Sequence, residues 1–292
     1  MKNNQNTTFG TAWMHRWLIS SLRVLDIRLL YLLIMLVIMP ICLLINTNNS
    51  RTCSYRYFRR RIGYGRWKAA WAAYVNHYRF GQVVIDRFAM FAGNHFEVDV
   101  VGYEHFLRVA EQDEGFVQLS SHVGCYEAAG YNLNAKCKRF NALVYGGEKA
   151  TVMEGRKEQL EKNNVHMIPV QPDMSHLFLI NEALANNETV SMPADRVLGS
   201  PKTVKVTFLG AEAHLPMGPF SVATMRGMDV IAVNVLKTGT KKYTAYVDTL
   251  HYDKNAPRKE QMQQLADSYA AVLERTIRQY PTQWFNFYDF WA

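Results

Sequence analysis

Residues 120–127, Ser-Ser-His-Val-Gly-Cys-Tyr-Glu, place an imidazole, a glycine and a carboxylate in one short stretch. They overlap the end of an apolar segment, 115–121, that has the composition of a buried strand, and a segment of helical character follows them. In a continuous helix, residues five apart lie about 140° apart around the axis, so His122 and Glu127 would not meet there. They can meet if His122 stays at the end of the strand and Gly124 eases the turn. The pattern therefore predicts a His–carboxylate pair of the kind used in general-base catalysis.

Two other interpretations of this stretch stay open. His122 can be a structural histidine, because the H-x4-E spacing also arises often by chance. Cys125 has no role in a general-base mechanism, and a nucleophilic cysteine would need a histidine directed toward its sulfur. The carboxyl ends of parallel strands are where open α/β sheets place their ligands, which favours the catalytic interpretation.

The elements that must position this stretch begin near residue 70, where helical and strand-like segments start to alternate. The predicted strands are 96–101, 115–121, 140–145, 166–170, 189–193, 204–208, 230–235 and 242–249, the last at a sheet edge. The predicted helices are 67–93, 104–111, 126–134, 151–163, 175–185 and 258–280. This alternation predicts an α/β fold, with a mostly parallel mixed sheet flanked by helices.

Residues 29–45 are the most hydrophobic stretch of the chain and carry no charge. As a helix they would extend about 25 Å, slightly less than a hydrocarbon core of about 30 Å. Pro40 is expected to kink this helix, which membrane helices tolerate. The alternatives are a cleaved signal peptide, for which a small-x-small cleavage site is lacking, and the core helix of a soluble protein. We expect one uncleaved membrane anchor within an N-terminal segment, 1–50, ahead of a catalytic domain, 51–292.

The charge distribution points to the same arrangement. The 292 residues have a net charge of +8. Residues 1–87 hold 13 Lys/Arg against 2 Asp/Glu, whereas residues 88–292 hold 20 Lys/Arg and 23 Asp/Glu. More cations follow the apolar segment than precede it, so the positive-inside rule places residues 51–292 in the cytoplasm. Tyrosines and tryptophans alternate with these cations, which indicates a surface for anionic lipid. A solvated basic helix face and an RNA-binding surface are the alternatives, whereas a DNA-binding module would concentrate charge on a recognition element.

The apolar content of 49% excludes a disordered protein. The four cysteines form no CxxC pair, which argues against a disulfide scaffold or a zinc ribbon and suits a reducing compartment.

Over nearly its whole length, the chain resembles the late acyltransferases of lipid A biosynthesis, the lauroyl/myristoyl transferases of the lysophospholipid and glycerophosphate acyltransferase superfamily. The superfamily motif H-x4-D/E appears here as His122 and Glu127. The other features that carry the resemblance are the apolar segment with its Arg-rich aromatic stretch, Arg156, Asp195-Arg196, the stretch 208–223 and Pro281-x-x-Trp284-Phe285.

The resemblance implies transfer of a fatty acyl chain from acyl carrier protein to a hydroxyl of a lipid A precursor or related lipid. It implies a single-pass or monotopic protein of the inner membrane, with its catalytic domain on the cytoplasmic side. His122 would deprotonate the hydroxyl and Glu127 would orient the imidazole, with no metal, cofactor, acyl-enzyme or nucleic acid involved. The expected partners are the acyl carrier protein and the lipid acceptor, and the oligomeric state is open.

The same resemblance implies basic groups for the phosphates of the acceptor and for the oxyanion of the transition state. Arg156 and Arg196 are the candidates, with Asp195 positioning Arg196. Gly218 begins a Gly-Pro-Phe sequence that is either a turn bringing backbone N–H groups to a phosphate or an ordinary connection to a helix starting near Ser221. Arg156 as a solvated helix residue and Asp195-Arg196 as a structural ion pair are the competing interpretations.

Two other functions stay open. The same chemistry can act on a glycolipid, an aminolipid or an aromatic lipid, and a coenzyme A thioester donor would need the same dyad. Alternatively, the chain is a non-catalytic membrane protein that binds anionic lipid or RNA through its basic aromatic segment.

Overall fold

The structure is a computed structural model that describes residues 12–291, except 46–48, 127, 129–137, 146–152, 155–156, 158–159, 162–163, 172 and 198–201. The helices among the described residues are α1 (Ala12–Leu22), α2 (Ile27–Leu44), α3 (Ser50–Arg60), α4 (Arg66–Phe91), α5 (Tyr103–Ala110), α6 (His176–Ala185), α7 (Met217–Met225) and α8 (Arg258–Gln279). A short 3-10 turn, Pro281–Gln283, follows α8. The predicted helices 126–134 and 151–163 lie largely outside the described residues.

The strands are β1 (Glu97–Val101), β2 (Phe116–Gly124), β3 (Phe140–Tyr145), β4 (Val165–Val170), β5 (Thr189–Pro193), β6 (Thr203–Phe208), β7 (Ala211–Pro216), β8 (Asp229–Gly239) and β9 (Lys242–Leu250). Seven of them form one sheet in the order β1-β9-β8-β2-β5-β3-β4. Among the described residues, the only antiparallel pair in this sheet is β8–β9, while β6 and β7 form a separate antiparallel hairpin. The predicted mostly parallel mixed sheet is confirmed.

Two details of the sheet differ from the sequence prediction. Strand β9 was expected at an edge, but it lies between β1 and β8, because β1 adds to it in parallel. The alternating pattern of β9 reflects a sheet face that is only partly covered there, not an edge position. Strand β7 was not predicted, since its residues Ala-Glu-Ala-His-Leu-Pro have weak β-propensity and form a strand by pairing with β6.

Helices cover both faces of the sheet. On one face, α6, α7 and α8 pack over buried side chains of β2 such as Leu119 and Val123, and Tyr57 and Phe58 of α3 join the same core. On the other face, α4 and α5 contribute Phe88 and Phe106 to a second core. The strands between these two layers are therefore buried on both sides, as parallel strands usually are.

Helix α2 has the length and composition of a membrane-spanning helix. It is the one helix in the described part of the chain that meets both criteria, and 17% of its residues are buried within the protein. A core helix of a soluble protein would be mostly buried, so that alternative does not fit. Residues Ile34–Ile38 form a π-helical turn just ahead of Pro40, where the missing N–H of proline interrupts the regular ladder. The hydroxyl of Tyr74 on α4 donates to the carbonyl of Met35 in this turn.

A buried polar cluster joins α2 to the body of the protein. Lys237 on β8 donates from Nζ to Asp86 Oδ2 on α4 at 2.5 Å and to the hydroxyl oxygen of Tyr31 on α2 at 3.0 Å. The hydroxyls of Tyr31 and Tyr243 also donate to the Asp86 carboxylate. Lys237 further donates to the carbonyl of Thr240 at 2.8 Å. The hydroxyl of Tyr31 is therefore hydrogen-bonded to both members of a buried ion pair, which ties α2 to the packed structure.

Candidate active site

The carboxyl end of β2 presents His122. Its pairing with β8 shifts between Ser120 and Gly124, so that extra residues of β2 bulge outward at this point. Gly124 closes the bulge with φ of +61°, and an added Cβ would lie 2.0 Å from the carbonyl oxygen of Val235. Only glycine fits there, which confirms that Gly124 permits the change of direction after His122.

The parallel register of β2 with β5 brings His122 to Asp195. The register pairs Val117 with Val190 and Ser120 with Pro193. The amide of Ala194 donates to the carbonyl of Ser120 at 3.0 Å, which continues the pairing past the end of β5. Two residues further along the same register, His122 and Asp195 stand side by side. The contact between His122 and Asp195 is thus a consequence of two neighbouring strands that end at the same edge of the sheet.

Asp195 holds His122 through both of its carboxylate oxygens. Oδ1 lies 2.7 Å from the imidazole Nδ1, and Oδ2 accepts the backbone N–H of His122 at 2.9 Å. The indole Nε1 of Trp284 also donates to Oδ2, at 3.3 Å. The Asp195 side chain is 1% exposed, whereas that of His122 is 20% exposed. The carboxylate is therefore sealed in the interior while the imidazole reaches the surface of the site.

The electrostatics determine the protonation of Asp195. Burial alone would raise the pKa of Asp195, but the charge and hydrogen bonds of His122, with Arg196 nearby, lower it to about 2. An ionised carboxylate accepts hydrogen bonds and cannot donate them, so Nδ1 of His122 carries the proton in this contact. In the neutral form of this ring, Nε2 is the free proton acceptor, the arrangement that a general base requires.

Arg196 directly follows Asp195, but its side chain contacts the segment after the 3-10 turn. Its guanidinium donates to the carbonyl of Phe285, and its Cζ lies 5.9 Å from the centre of the Tyr288 ring. The buried Nε of Arg196 has no hydrogen-bond partner among the described residues. The sequence assigned Asp195 to positioning Arg196, whereas the hydrogen bonds of its carboxylate go to His122 and Trp284.

The structure describes some of the other residues of the predicted site and leaves others outside its described ranges. Glu127 and Arg156 lie outside the described residues, so their predicted roles stay predictions. Gly218 is the second residue of α7, because that helix begins at Met217 and not near Ser221 as the sequence suggested. Cys125 is buried directly after β2, and its backbone amide donates to the carbonyl of Val235 at 2.8 Å.

The contact between His122 and Asp195 was missed because 73 residues separate them. Their positions in the sequence could have indicated this contact, because each residue follows a buried strand that is predicted to be parallel. The Trp284 contact leaves no such trace, because the path of the chain after α8 is set by tertiary packing. No cluster of three or more His, Cys, Asp or Glu side chains suited to a metal ion occurs in the described part of the chain.

Comparisons with known proteins identify the family of this chain. The model of the family described as bacterial lipid A biosynthesis acyltransferase matches residues 89–292. Among solved structures, the chain is similar to the 1-acyl-sn-glycerophosphate acyltransferase PlsC from Thermotoga maritima, at 14% sequence identity and a TM-score of 0.41. That similarity covers 94% of this chain and 99% of the other. No curated relative matches the sequence. Since the family model spans more than half of the chain and includes both His122 and Asp195, the protein belongs to the bacterial lipid A biosynthesis acyltransferase family.

Proposed function

We propose that the protein transfers a fatty acyl chain from an acyl carrier protein thioester to a hydroxyl group of a lipid A precursor, with His122 as the general base. The observation that carries this proposal is the 2.7 Å contact between His122 Nδ1 and Asp195 Oδ1 at the carboxyl end of two parallel strands. Membership of a lipid A acyltransferase family supports the lipid acceptor. The acyl carrier protein donor rests on the resemblance set out above.

In the proposed reaction, Nε2 of His122 accepts the proton of the acceptor hydroxyl as the oxygen attacks the thioester carbonyl. The C–O bond forms, the tetrahedral oxyanion collapses and the C–S bond breaks. The departing thiolate takes the proton from the imidazolium, so the ring returns to its starting state. Asp195 keeps the ring in the required tautomer and stabilises its positive charge. Glu127 is proposed as a second carboxylate that orients the imidazole.

The oxyanion and the phosphates of the acceptor require donors. Arg196 is proposed for this role because its buried Nε lies beside the dyad without a hydrogen-bond partner among the described residues. Arg156 and the N-terminal turn of α7 at Gly218 are proposed as further substrate contacts. Charge-assisted hydrogen bonds from such groups are about twice as strong as neutral ones.

The membrane arrangement is a second part of the proposal. Helix α2 is proposed as the anchor of the inner membrane, with the residues after it on the cytoplasmic side, because cations dominate that flank. On α4, Trp67 and Trp71 are 76% and 59% exposed, and they lie one helical turn apart. The guanidinium of Arg66 lies 4.8 Å from the Trp67 ring centre. Exposed indoles next to cations suit the headgroup region of anionic lipid.

The test is an assay of the purified full chain that offers acyl carrier protein and coenzyme A thioesters with lipid A precursor and a glycolipid acceptor. We expect transfer from acyl carrier protein to the lipid A precursor, and loss of this transfer in His122→Ala. His251→Ala, at an exposed loop position, is the matched control. Full activity of His122→Ala refutes the mechanism, and transfer only from coenzyme A or only to the glycolipid refutes the proposed donor or acceptor.

The non-catalytic alternative makes the opposite prediction. It expects no transfer with any donor, together with loss of anionic-lipid binding when Arg59, Arg60 and Arg61 are neutralised. A lipid-binding measurement on vesicles containing phosphatidylglycerol separates the two cases.

A further inference from the structure

The segment that follows α8 returns to the edge of the sheet that carries the dyad. The amide of Phe285 donates to the carbonyl of His122 at 3.0 Å, and Trp284 forms an isolated antiparallel bridge with Val123. Arg196 donates to the carbonyl of Phe285. The backbone of His122 at the end of β2 and the side chain of Arg196 after β5 are therefore both bonded to this C-terminal segment.

The side chain of Trp284 reaches the dyad itself. Its Nε1 donates to Asp195 Oδ2 at 3.3 Å, the same oxygen that accepts the backbone N–H of His122. An indole N–H is only a donor, so this contact is compatible with a carboxylate and not with a donating carboxylic acid group. The indole is 1% exposed and is held edge-on by Tyr57 and Phe208, with ring centres 5.2 and 5.7 Å away.

Asn76 on α4 fixes the backbone of this segment from the opposite side. Its Nδ2 donates to the carbonyl of Trp284 at 2.9 Å and to that of Thr282 at 3.0 Å. Its Oδ1 accepts the hydroxyl of Ser54 on α3 at 3.1 Å. Asn76 and Ser54 are both fully buried. Each atom of the Asn76 amide therefore has a partner, and two of these partners belong to the C-terminal segment.

We infer that Trp284 is a positioning residue for His122 that acts through Asp195, and that Asn76 holds Trp284 in place from the helices next to the anchor. This inference rests on the proposed function of His122 as the base. Two donors on Oδ2 restrict rotation of the carboxylate and leave Oδ1 for the imidazole. The indole N–H also takes up part of the negative charge of Asp195, which sets how strongly the carboxylate favours a protonated ring.

The test replaces the indole N–H without removing the ring. Trp284→Phe is expected to lower kcat by about 10–100-fold, with KM for both substrates unchanged. This is the range typical of residues that orient a functional histidine through its hydrogen-bond partner. The acidic limb of the pH–rate profile is expected to move to higher pH, because a carboxylate with one donor fewer holds the proton on His122 more strongly. A purely structural role of Trp284 would not move this limb.

Trp291→Phe is the matched control. Its ring packs against the same aromatic cluster, with its centre 5.9 Å from that of Trp284, and its Nε1 has no hydrogen-bond partner among the described residues. The same atom is thus deleted within the same aromatic cluster without a change at Asp195. We expect the kcat of Trp291→Phe to stay within twofold of that of the parent protein, and its pH profile to be unshifted. An unshifted profile in Trp284→Phe, or an equal shift in both variants, overturns the inference.

Two further measurements keep the result independent of folding and of the proposed function. Benzothienylalanine at position 284 replaces the N–H by sulfur within a ring of nearly the same shape, and it is expected to reproduce the shift even if Trp284→Phe is unstable. The double variant with Asn76→Leu and Trp284→Phe is expected to lose less activity than the product of the fold losses in the two single variants. The two residues act through the same series of contacts, so their effects are not additive. Activity that survives in His122→Ala would instead refute the proposed function, whatever the result at Trp284.

Discussion

Asp195 accepts two hydrogen bonds from His122, one from the imidazole Nδ1 at 2.7 Å and one from the backbone N–H at 2.9 Å. Because both oxygens of the carboxylate bind the same residue, they hold the imidazole ring in a fixed orientation relative to the end of β2. The orientation of the imidazole is therefore set before any substrate binds, which is a condition for efficient proton transfer by the proposed base.

Asp195→Asn is expected to lower kcat for acyl transfer by about two to four orders of magnitude, because an amide in this position no longer selects the tautomer with a free Nε2. The measurement is the steady-state rate with the acyl carrier protein thioester at saturating acceptor. Asp289→Asn, at an exposed carboxylate, serves as the control and is expected to remain within twofold of the parent protein. A loss smaller than tenfold in Asp195→Asn would contradict the role of this carboxylate.

The same carboxylate predicts a pH dependence of stability. Its pKa is lowered from 3.8 to about 2 in the folded protein, because the charge and hydrogen bonds of His122 outweigh the effect of burial. The unfolded chain therefore binds the proton first as the pH falls, and the contribution of Asp195 is present above about pH 4 and lost toward pH 2. The difference in free energy of unfolding between the parent protein and Asp195→Asn, measured in detergent across this interval, is expected to shrink as the pH falls. A difference that stays constant would show that the carboxylate is not stabilised by the fold.

The sequence contained enough information to predict the parallel sheet and the position of His122. Strands β2 and β5 are buried along nearly their whole length, and His122 and Asp195 lie at or just past their carboxyl ends. The order of the strands was not available in the same way, because β1 pairs with β9, which lies almost 150 residues away along the chain. The edge position assigned to β9 was wrong for this reason.

The contact between His122 and Asp195 shows that residue spacing along the chain is not enough to identify the partner of a site residue. Glu127 was proposed from its distance along the chain, while Asp195 comes to His122 only through the register of two strands. A prediction that follows the residues after each parallel strand, instead of the residues nearest in sequence, would have considered Asp195 for this contact. The hydrogen bond from Trp284 depends on how the last residues cross the sheet, which no periodicity in the sequence encodes.

Gly124→Ala tests the bulge that presents His122. The new Cβ would lie 2.0 Å from the carbonyl oxygen of Val235, and the backbone has φ of +61°, so both a clash and conformational strain oppose alanine. Gly210→Ala is the matched control, since Gly210 has φ of +75° but open space around the Cβ position. We expect Gly210→Ala to cost about 1–2 kcal/mol in free energy of unfolding, with activity preserved.

Gly124→Ala is expected to cost clearly more than Gly210→Ala and to reduce acyl transfer at least tenfold even where the protein remains folded. Urea unfolding and the steady-state rate provide the two measurements. Equal behaviour of the two variants would show that the bulge relaxes without displacing His122.

The ion pair between Asp86 and Lys237 is expected to stabilise the junction between α2 and the body. Burial raises the pKa of Asp86 and lowers that of Lys237, and their mutual attraction opposes both shifts. Lys237→Met leaves the carboxylate of Asp86 buried without its cation, which typically costs about 3–5 kcal/mol. Lys254→Met removes a half-exposed pair with Asp229 and is expected to cost about 1 kcal/mol or less.

The structural consequence of Lys237→Met should be largest at α2, because the hydroxyl of Tyr31 loses its cationic partner while an unpaired charge remains beside it. Limited proteolysis in detergent, followed by mass spectrometry, is expected to show earlier cleavage between α2 and α3 in Lys237→Met than in Lys254→Met. The double variant Asp86→Leu with Lys237→Met removes both charges, so it should recover much of the lost stability. Cleavage that is unchanged in Lys237→Met, or a double variant less stable than the single one, would show that the cluster does not hold α2 to the body of the protein.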